Sequence, residues 1–187
     1  MTSPVLLPPG ARPGFIGTLA VPGDLWWVCA EPTPLAGMAY PRAGVWDTLA
    51  ERGFRHVIDL TRDSANYDAT PLTSHASHLS DLIGRRQPPD AARDEARIRV
   101  AGALVADLWS AGEGVIVHCH GGRGRTGSVI GSALVRLGHE PGAVVDWLHR
   151  VQRTRGRRGW PEQQWQAEVV RRAVDDRGGG PSGDSQD

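Results

Sequence analysis

Short β-branched runs alternate along this chain with stretches whose apolar residues recur at helical spacing. The first pattern predicts buried strands and the second predicts helices lying on them. Strands are expected near 15–20 and 25–30. A helix over 42–52 follows, begun by Pro41, closed by Gly53, and faced by Val45, Trp46 and Leu49. Residues 54–61, Phe-Arg-His-Val-Ile-Asp-Leu-Thr, read as a central strand. From Asp94 to Trp109 the positions Ile98, Ala101, Val105 and Leu108 share one helical face, and Ala111-Gly112 turns the chain into the apolar run Gly114-Val115-Ile116-Val117. Beyond a glycine-rich break, Val129, Ile130, Ala133, Leu134 and Leu137 form another helical stripe, and helices over 141–153 and 161–175 complete the order. Strands and helices that alternate in this way call for an α/β fold, a central, mostly parallel sheet flanked by helices. One domain over 15–176 accounts for the pattern. Pro4, Pro8, Pro9 and Pro13 mark residues 1–14 as a flexible arm, and the glycine-rich, polar residues 177–187 as a disordered tail.

The break between strand and helix carries the chemistry. It reads His118-Cys119-His120-Gly121-Gly122-Arg123-Gly124-Arg125-Thr126-Gly127. A glycine-rich loop that ends at a helix N-terminus aims several backbone N–H groups at one spot, where the helix dipole adds partial positive charge. That spot suits an anion. The same field favours a thiolate at Cys119, the form of cysteine that attacks phosphorus. Arg125 can offer a planar fork to two phosphate oxygens, and Thr126 a hydroxyl to the sulfur. A buried cysteine in an ordinary turn would need neither the two arginines nor the glycines.

The segment resembles the signature loop of the cysteine-dependent protein tyrosine phosphatase superfamily, His-Cys, five residues, Arg and Ser or Thr, and is closest to its dual-specificity type. The resemblance extends over about 15–175, with Glu51 to Leu60 similar to the family's helix-glycine-strand element. It implies a protein tyrosine phosphatase-like fold and a phosphomonoester hydrolase acting through a phosphocysteine. Cys119, Arg125 and Asp81 would be catalytic, and His120, Gly121, Gly122, Arg123, Gly124 and Arg125 would hold the phosphate. His118 would brace the loop and Thr126 support the sulfur. Asp81, in His78-Leu79-Ser80-Asp81-Leu82-Ile83-Gly84 before Pro88-Pro89, resembles the family's general-acid loop. Asp90 stands closer to the family's usual spacing from the cysteine but also where a helix N-cap is expected, and Asp63 is a third candidate. Gln163 and Gln164 resemble a segment that positions the hydrolytic water, and a polar first turn of a helix explains them equally well. The reaction calls for no metal or organic cofactor. His75, His78, His118 and His120 bring no second thiol with them, so a metal site is not expected.

Composition narrows the partners. All 21 basic residues are arginine, a coding bias that suggests a bacterial source, and net charge is zero. Between Cys119 and Arg172 ten arginines face four acids, so this half favours anionic partners. The arginines of 150–158 are interleaved with glycine rather than aromatic residues, and nucleic acid is not expected. No run is long enough to span a membrane and the N-terminus lacks a leader's order, so a cytoplasmic protein is expected. Two cysteines make no disulfide framework. Cys29 reads as a small core residue, with a reversible bond to Cys119 as the alternative. The substrate is expected to be a phosphorylated protein, or alternatively a phosphoinositide, inositol phosphate or other small polyanionic ester suited to the basic His120 and Arg123. A non-catalytic phospho-binding module is a further alternative, as is sulfur transfer or arsenate reduction, which would not use Asp81.

Overall fold

The computed structural model of the chain describes residues 3–11, 25–41, 45–61 and 67–174. Five strands form one sheet in the order β1-β2-β5-β3-β4: β1 is Leu25–Cys29, β2 Leu35–Met38, β3 Phe54–Asp59, β4 Thr73–Ala76 and β5 Gly114–His118. β2, β3 and β4 join through parallel pairings with β5 at the centre, and only β1 runs antiparallel, against β2. The expected mostly parallel α/β sheet is therefore present. The strand expected over 54–61 is the interior strand β3, which ends at Asp59, but the middle place belongs to β5.

Every residue of β5 is buried, because both faces of the sheet are covered. Val115 and Val117 point into one core with Ile98, Val105, Ile130 and Leu134, whereas Ile116 points the other way to Trp46, Leu49, Phe54 and Leu72. That alternation is the two-residue period of a strand acting on both layers. The first layer is helical: α2 (Ala91–Ser110), α3 (Gly124–Arg136), α4 (Pro141–Thr154) and α5 (Gln164–Arg172). The second is thinner, with α1 (Trp46–Glu51) and residues 67–72.

Differences from the sequence reading have local causes. β2 and β4 were not anticipated: β2 is four residues of Leu-Ala-Gly-Met, and β4, Thr-Ser-His-Ala, is an exposed edge strand with no apolar alternation to betray it. Helix α2 starts at Ala91, three residues early, because the Asp90 carboxylate accepts a hydrogen bond from Arg93 N at 3.0 Å. Helix α5 starts at Gln164 rather than 161, since Gln163 and Gln166 form a reciprocal capping box. The start expected for the first helix at 42 lies outside the described residues. So do the strand near 15–20, Asp63 and the tail. Residues 3–11 are not a loose arm. Leu7 N donates to Val28 O, and the carbonyls of Leu7 and Pro4 bond to Trp147 Nε1 and His139 Nε2. Proline restricts the chain to an extended path while leaving its carbonyls free to accept.

Candidate active site

The loop His118 to Thr126 leaves the carboxyl end of β5 and enters α3, the end of a parallel sheet where ligands collect. Its shape is set by where its carbonyls go. Tyr40 N donates to His120 O at 3.0 Å. The carbonyl of Gly122 accepts from Trp26 Nε1 at 2.9 Å and from Arg155 Nη1 at 3.0 Å, and Gln152 Oε1 holds that guanidinium at 2.6 Å. Ser128 Oγ and Trp160 Nε1 donate to Gly124 O at 3.0 and 3.3 Å. In a trans peptide the N–H points opposite to the C=O. Three outward carbonyls therefore turn the N–H groups of Gly121, Arg123 and Arg125 toward the loop's interior. Arg123, the N-cap residue of α3, makes no side-chain capping bond, so the helix's first-turn donors suit an anion as well.

Glycine is required where the loop crosses β2. Gly122 has φ +60°, and a Cβ there would collide with the carbonyl carbon of Met38.

Cys119 sits at the loop's base, 3% exposed, and Thr126 Oγ1 donates to its sulfur at 3.1 Å. Beneath it lies a buried polar group. The Tyr67 hydroxyl bonds to His118 Nε2 at 2.5 Å, and Asp59 Oδ1 lies 3.6 Å from the same nitrogen while accepting from Thr61 N and Oγ1. Burial pushes the His118 imidazole down to about 4, against the pull of Asp59. Burial first, and Asp59 second, push the Tyr67 phenol up. A neutral imidazole and a protonated phenol fit one hydrogen bond, with Tyr67 donating. His118 is thus held beneath the loop rather than presented to a substrate.

Arg125 reaches the segment of Leu79 and Asp81. Its Nη2 lies 2.6 Å from Asp81 Oδ2, and Nη1 donates to Leu79 O at 3.4 Å. A cavity of about 480 Å³ opens beside this pair, lined by Leu79, Ser80, Asp81, Arg85, Pro89, His120 and Arg125. His120 stacks on Tyr40, with ring centroids 5.5 Å apart. The structure thus brings together Cys119, Thr126, Arg125, Asp81 and His120. Asp90 is engaged at the start of α2 instead.

Three expected contributors have other places in the fold. The Arg123 side chain, expected to add charge to the anion site, turns away: Nε donates to Gly159 O at 2.8 Å and Nη1 lies 3.5 Å from Glu162. Its amide, not its guanidinium, faces the loop. Gln163 caps α5 and the exposed Gln164 begins it, so the polar-first-turn account describes both. The buried glutamine of this segment is Gln166, whose Oε1 accepts from Glu162 N and Gln163 N. Sequence reasoning missed Trp26, Tyr67, Arg155 and Trp160. Their signal is spatial only, since they come from β1, the segment before β4, the far end of α4 and the segment before α5, far from the loop in sequence.

Cys29 lies at the other end of the sheet. It is opposite Leu35, which is opposite Val115, four residues short of Cys119. At about 3.3 Å per residue and 4.8 Å per strand the two cysteines are roughly 16 Å apart, well beyond the reach of a disulfide. Burial pushes the Cys29 thiol up to about 11, and its Sγ donates to Thr33 O. It is a core residue. No helix among the described residues is long and apolar enough to cross a membrane.

Residues 35–139, just over half of the chain, match the family model Tc-R-P, described as a DSP-PTPase phosphatase of polymorphic toxin systems. Solved structures share the fold at low identity. Tk-PTP, in the active form, is 23% identical with a TM-score of 0.56, over 75% of this chain and 91% of that one. TpbA of P. aeruginosa is 20% identical with a TM-score of 0.58, over 84% and 91%. PTPMT1, in complex with PI(5)P, is 15% identical with a TM-score of 0.60, over 81% and 96%.

Proposed function

The chain belongs to the DSP-PTPase phosphatases of polymorphic toxin systems and is a cysteine-dependent phosphatase, and on that premise we propose that Cys119, Arg125 and Asp81 carry its reaction on phosphorylated protein. The observation that supports this most directly is the ion pair between Arg125 and Asp81 beside the loop that holds Cys119. A clamp for phosphate oxygens and a proton donor for the leaving oxygen then meet at one place.

In the first displacement the Cys119 thiolate attacks phosphorus in line, the S–P bond forming as the ester P–O bond breaks. Arg125 leaves Asp81 to take two equatorial oxygens, and the amides of Gly121, Arg123 and Arg125 take the developing charge. Asp81 gives its proton to the departing oxygen, without which an alkoxide or phenoxide leaves slowly. In the second displacement the Asp81 carboxylate takes a proton from water, whose oxygen attacks phosphorus. The S–P bond breaks, inorganic phosphate departs and the thiolate returns. Thr126 donates to the sulfur throughout. His118, neutral and bonded to Tyr67, braces the base of the loop. The chemistry suits a reducing, cytoplasmic setting.

Hydrolysis of an aryl phosphate and of phosphotyrosine and phosphothreonine peptides tests this reading, with thiosulfate and arsenate tried in parallel. Cys119→Ser should abolish turnover and keep the fold, since a serine hydroxyl does not ionise in this field. Arg125→Lys should lose on the order of a hundredfold, because the planar fork is gone. Activity of Cys119→Ser within about tenfold of wild type would overturn the covalent route. Binding without turnover by the wild type would instead favour a phospho-binding module.

A further inference from the structure

The displacement just described leaves one cation of the cavity unused. Arg85 lines the same cavity as Asp81 and Arg125. Its side chain makes no hydrogen bond or ion pair among the described residues, whereas Arg125 is held by Asp81 and Leu79 O.

Arg85 is fixed relative to Asp81 by the backbone. Ser80 N donates to Asp94 Oδ2 at 2.9 Å and Arg97 Nη1 to His78 O at 2.9 Å, which fastens the start of the acid loop to α2. Leu82 is buried, and Arg85 N donates to Leu82 O at 3.0 Å. The four-residue turn so closed has φ +71° at Gly84, its third position, where a side chain would be strained. Asp81 and Arg85 therefore move as one piece.

This linkage assigns Arg85 a side of the substrate. A proton donor must stand at the leaving oxygen, so the turn behind it faces the leaving group and not the phosphoryl oxygens. A cation held there favours a leaving group that is itself anionic close to the ester. The tip also presents Ile83, 86% exposed, beside Arg85. An extended peptide with side chains on both sides of its phosphorylated residue offers partners to an apolar and a cationic position at once. A free inositol phosphate offers nothing to the isoleucine.

Resting on the phosphatase reading above, we propose that Arg85 determines specificity by selecting phosphopeptides that carry an acidic residue next to the phosphorylated one. The gain falls mainly on KM, since the contact is the same in the ground state and the transition state.

The test uses the full chain and two phosphotyrosine peptides that differ only in flanking aspartate or asparagine. Companion substrates are p-nitrophenyl phosphate and phosphatidylcholine vesicles containing phosphatidylinositol 5-phosphate. Wild type should favour the aspartate peptide by about three- to tenfold in kcat/KM, the range of one partly exposed ion pair, with the ratio shrinking as salt is raised. Arg85→Ala should bring the ratio near one and Arg85→Glu should invert it. Both should lose far less on p-nitrophenyl phosphate than on the aspartate peptide. An unchanged ratio in Arg85→Ala, or no preference in wild type, overturns the proposal while p-nitrophenyl phosphate turnover leaves the phosphatase reading standing. Turnover of the vesicle lipid above that of either peptide, and lost in Arg85→Ala, overturns it in favour of a membrane substrate. Failure of wild type to hydrolyse any of these substrates removes the phosphatase reading and the inference with it.

Discussion

Asp81 pairs with Arg125 in the structure, and the mechanism we propose moves it to the leaving oxygen when substrate binds, so the two occupations predict opposite effects of one substitution. Asp81→Asn keeps the shape and removes both the carboxylate charge that pairs with Arg125 and the acidic proton. Inorganic phosphate or vanadate should then bind several-fold more tightly, because the anion no longer displaces a carboxylate at 2.6 Å. Turnover of phosphotyrosine should fall by roughly 10² to 10⁴, while activated aryl phosphates, whose leaving group departs unaided, change little. Equal losses on both substrates would remove Asp81 from the acid's role. Asp90→Ala serves as the comparison, since losing its cap should cost about 1 kcal/mol of stability, read by urea unfolding, without selective loss on poor leaving groups. His118 gives a prediction in pH. Burial lowers its folded pKa from 6.5 to about 4, so the unfolded chain takes up a proton that the folded chain refuses between those values. The stability from keeping it neutral is complete above about pH 6.5 and is lost progressively as pH falls toward about 4. Urea midpoints measured across that window should slope less in His118→Asn than in wild type.

At the scale of elements, the loop's donors are aimed by β1, α4 and the segment before α5, through bonds to carbonyls on the loop's outer side. Gly122 O has two such donors, Trp26 and Arg155, so removing one should loosen the peptide and removing both should release it. Arg155→Ala and Trp26→Phe should each lower kcat and weaken vanadate binding by several-fold. The double variant should fall by more than the product of the two, because a single remaining donor still turns the peptide. Additive losses would mean that the two side chains act separately. The sequence revealed this loop because its features are local: the proposed nucleophile and clamp, the glycines and the start of the helix lie within ten residues. The residues that aim it were not legible, since Trp26 and Arg155 are separated from Gly122 by 96 and 33 positions and look like ordinary core and surface residues. Arg123 shows the reverse error. Its place in the loop suggested a phosphate contact, but its side chain leaves the loop for Gly159 O and Glu162, which periodicity and spacing do not encode.

For the whole molecule, the pattern of apolar runs was enough to give helices on a mostly parallel sheet with the loop at the carboxyl end of a strand. It hid β2 and β4, one too short to show a period and the other too exposed to need one. Sheet order decides a question that composition left open, whether the two cysteines can protect one another. β1 meets β5 only through β2, and the register sets Cys29 level with Val115 at the amino end of β5, while Cys119 follows its carboxyl end. Closing roughly 16 Å to the 4.4–6.8 Å between Cα atoms that a disulfide needs would break the centre of the sheet, where every residue of β5 is buried. The Cys29 thiol, pushed up to about 11 by burial, also supplies almost no thiolate to attack an oxidised Cys119. Peroxide should therefore carry Cys119 to a sulfenic acid and then, with further oxidant, irreversibly beyond it. Peptide mass analysis without reductant should find no Cys29–Cys119 cross-link, and Cys29→Ser should recover with dithiothreitol at the same rate and to the same extent as wild type. A cross-linked peptide pair that appears together with reversible loss of activity would mean that this sheet opens under oxidation, and would restore Cys29 as the protecting thiol.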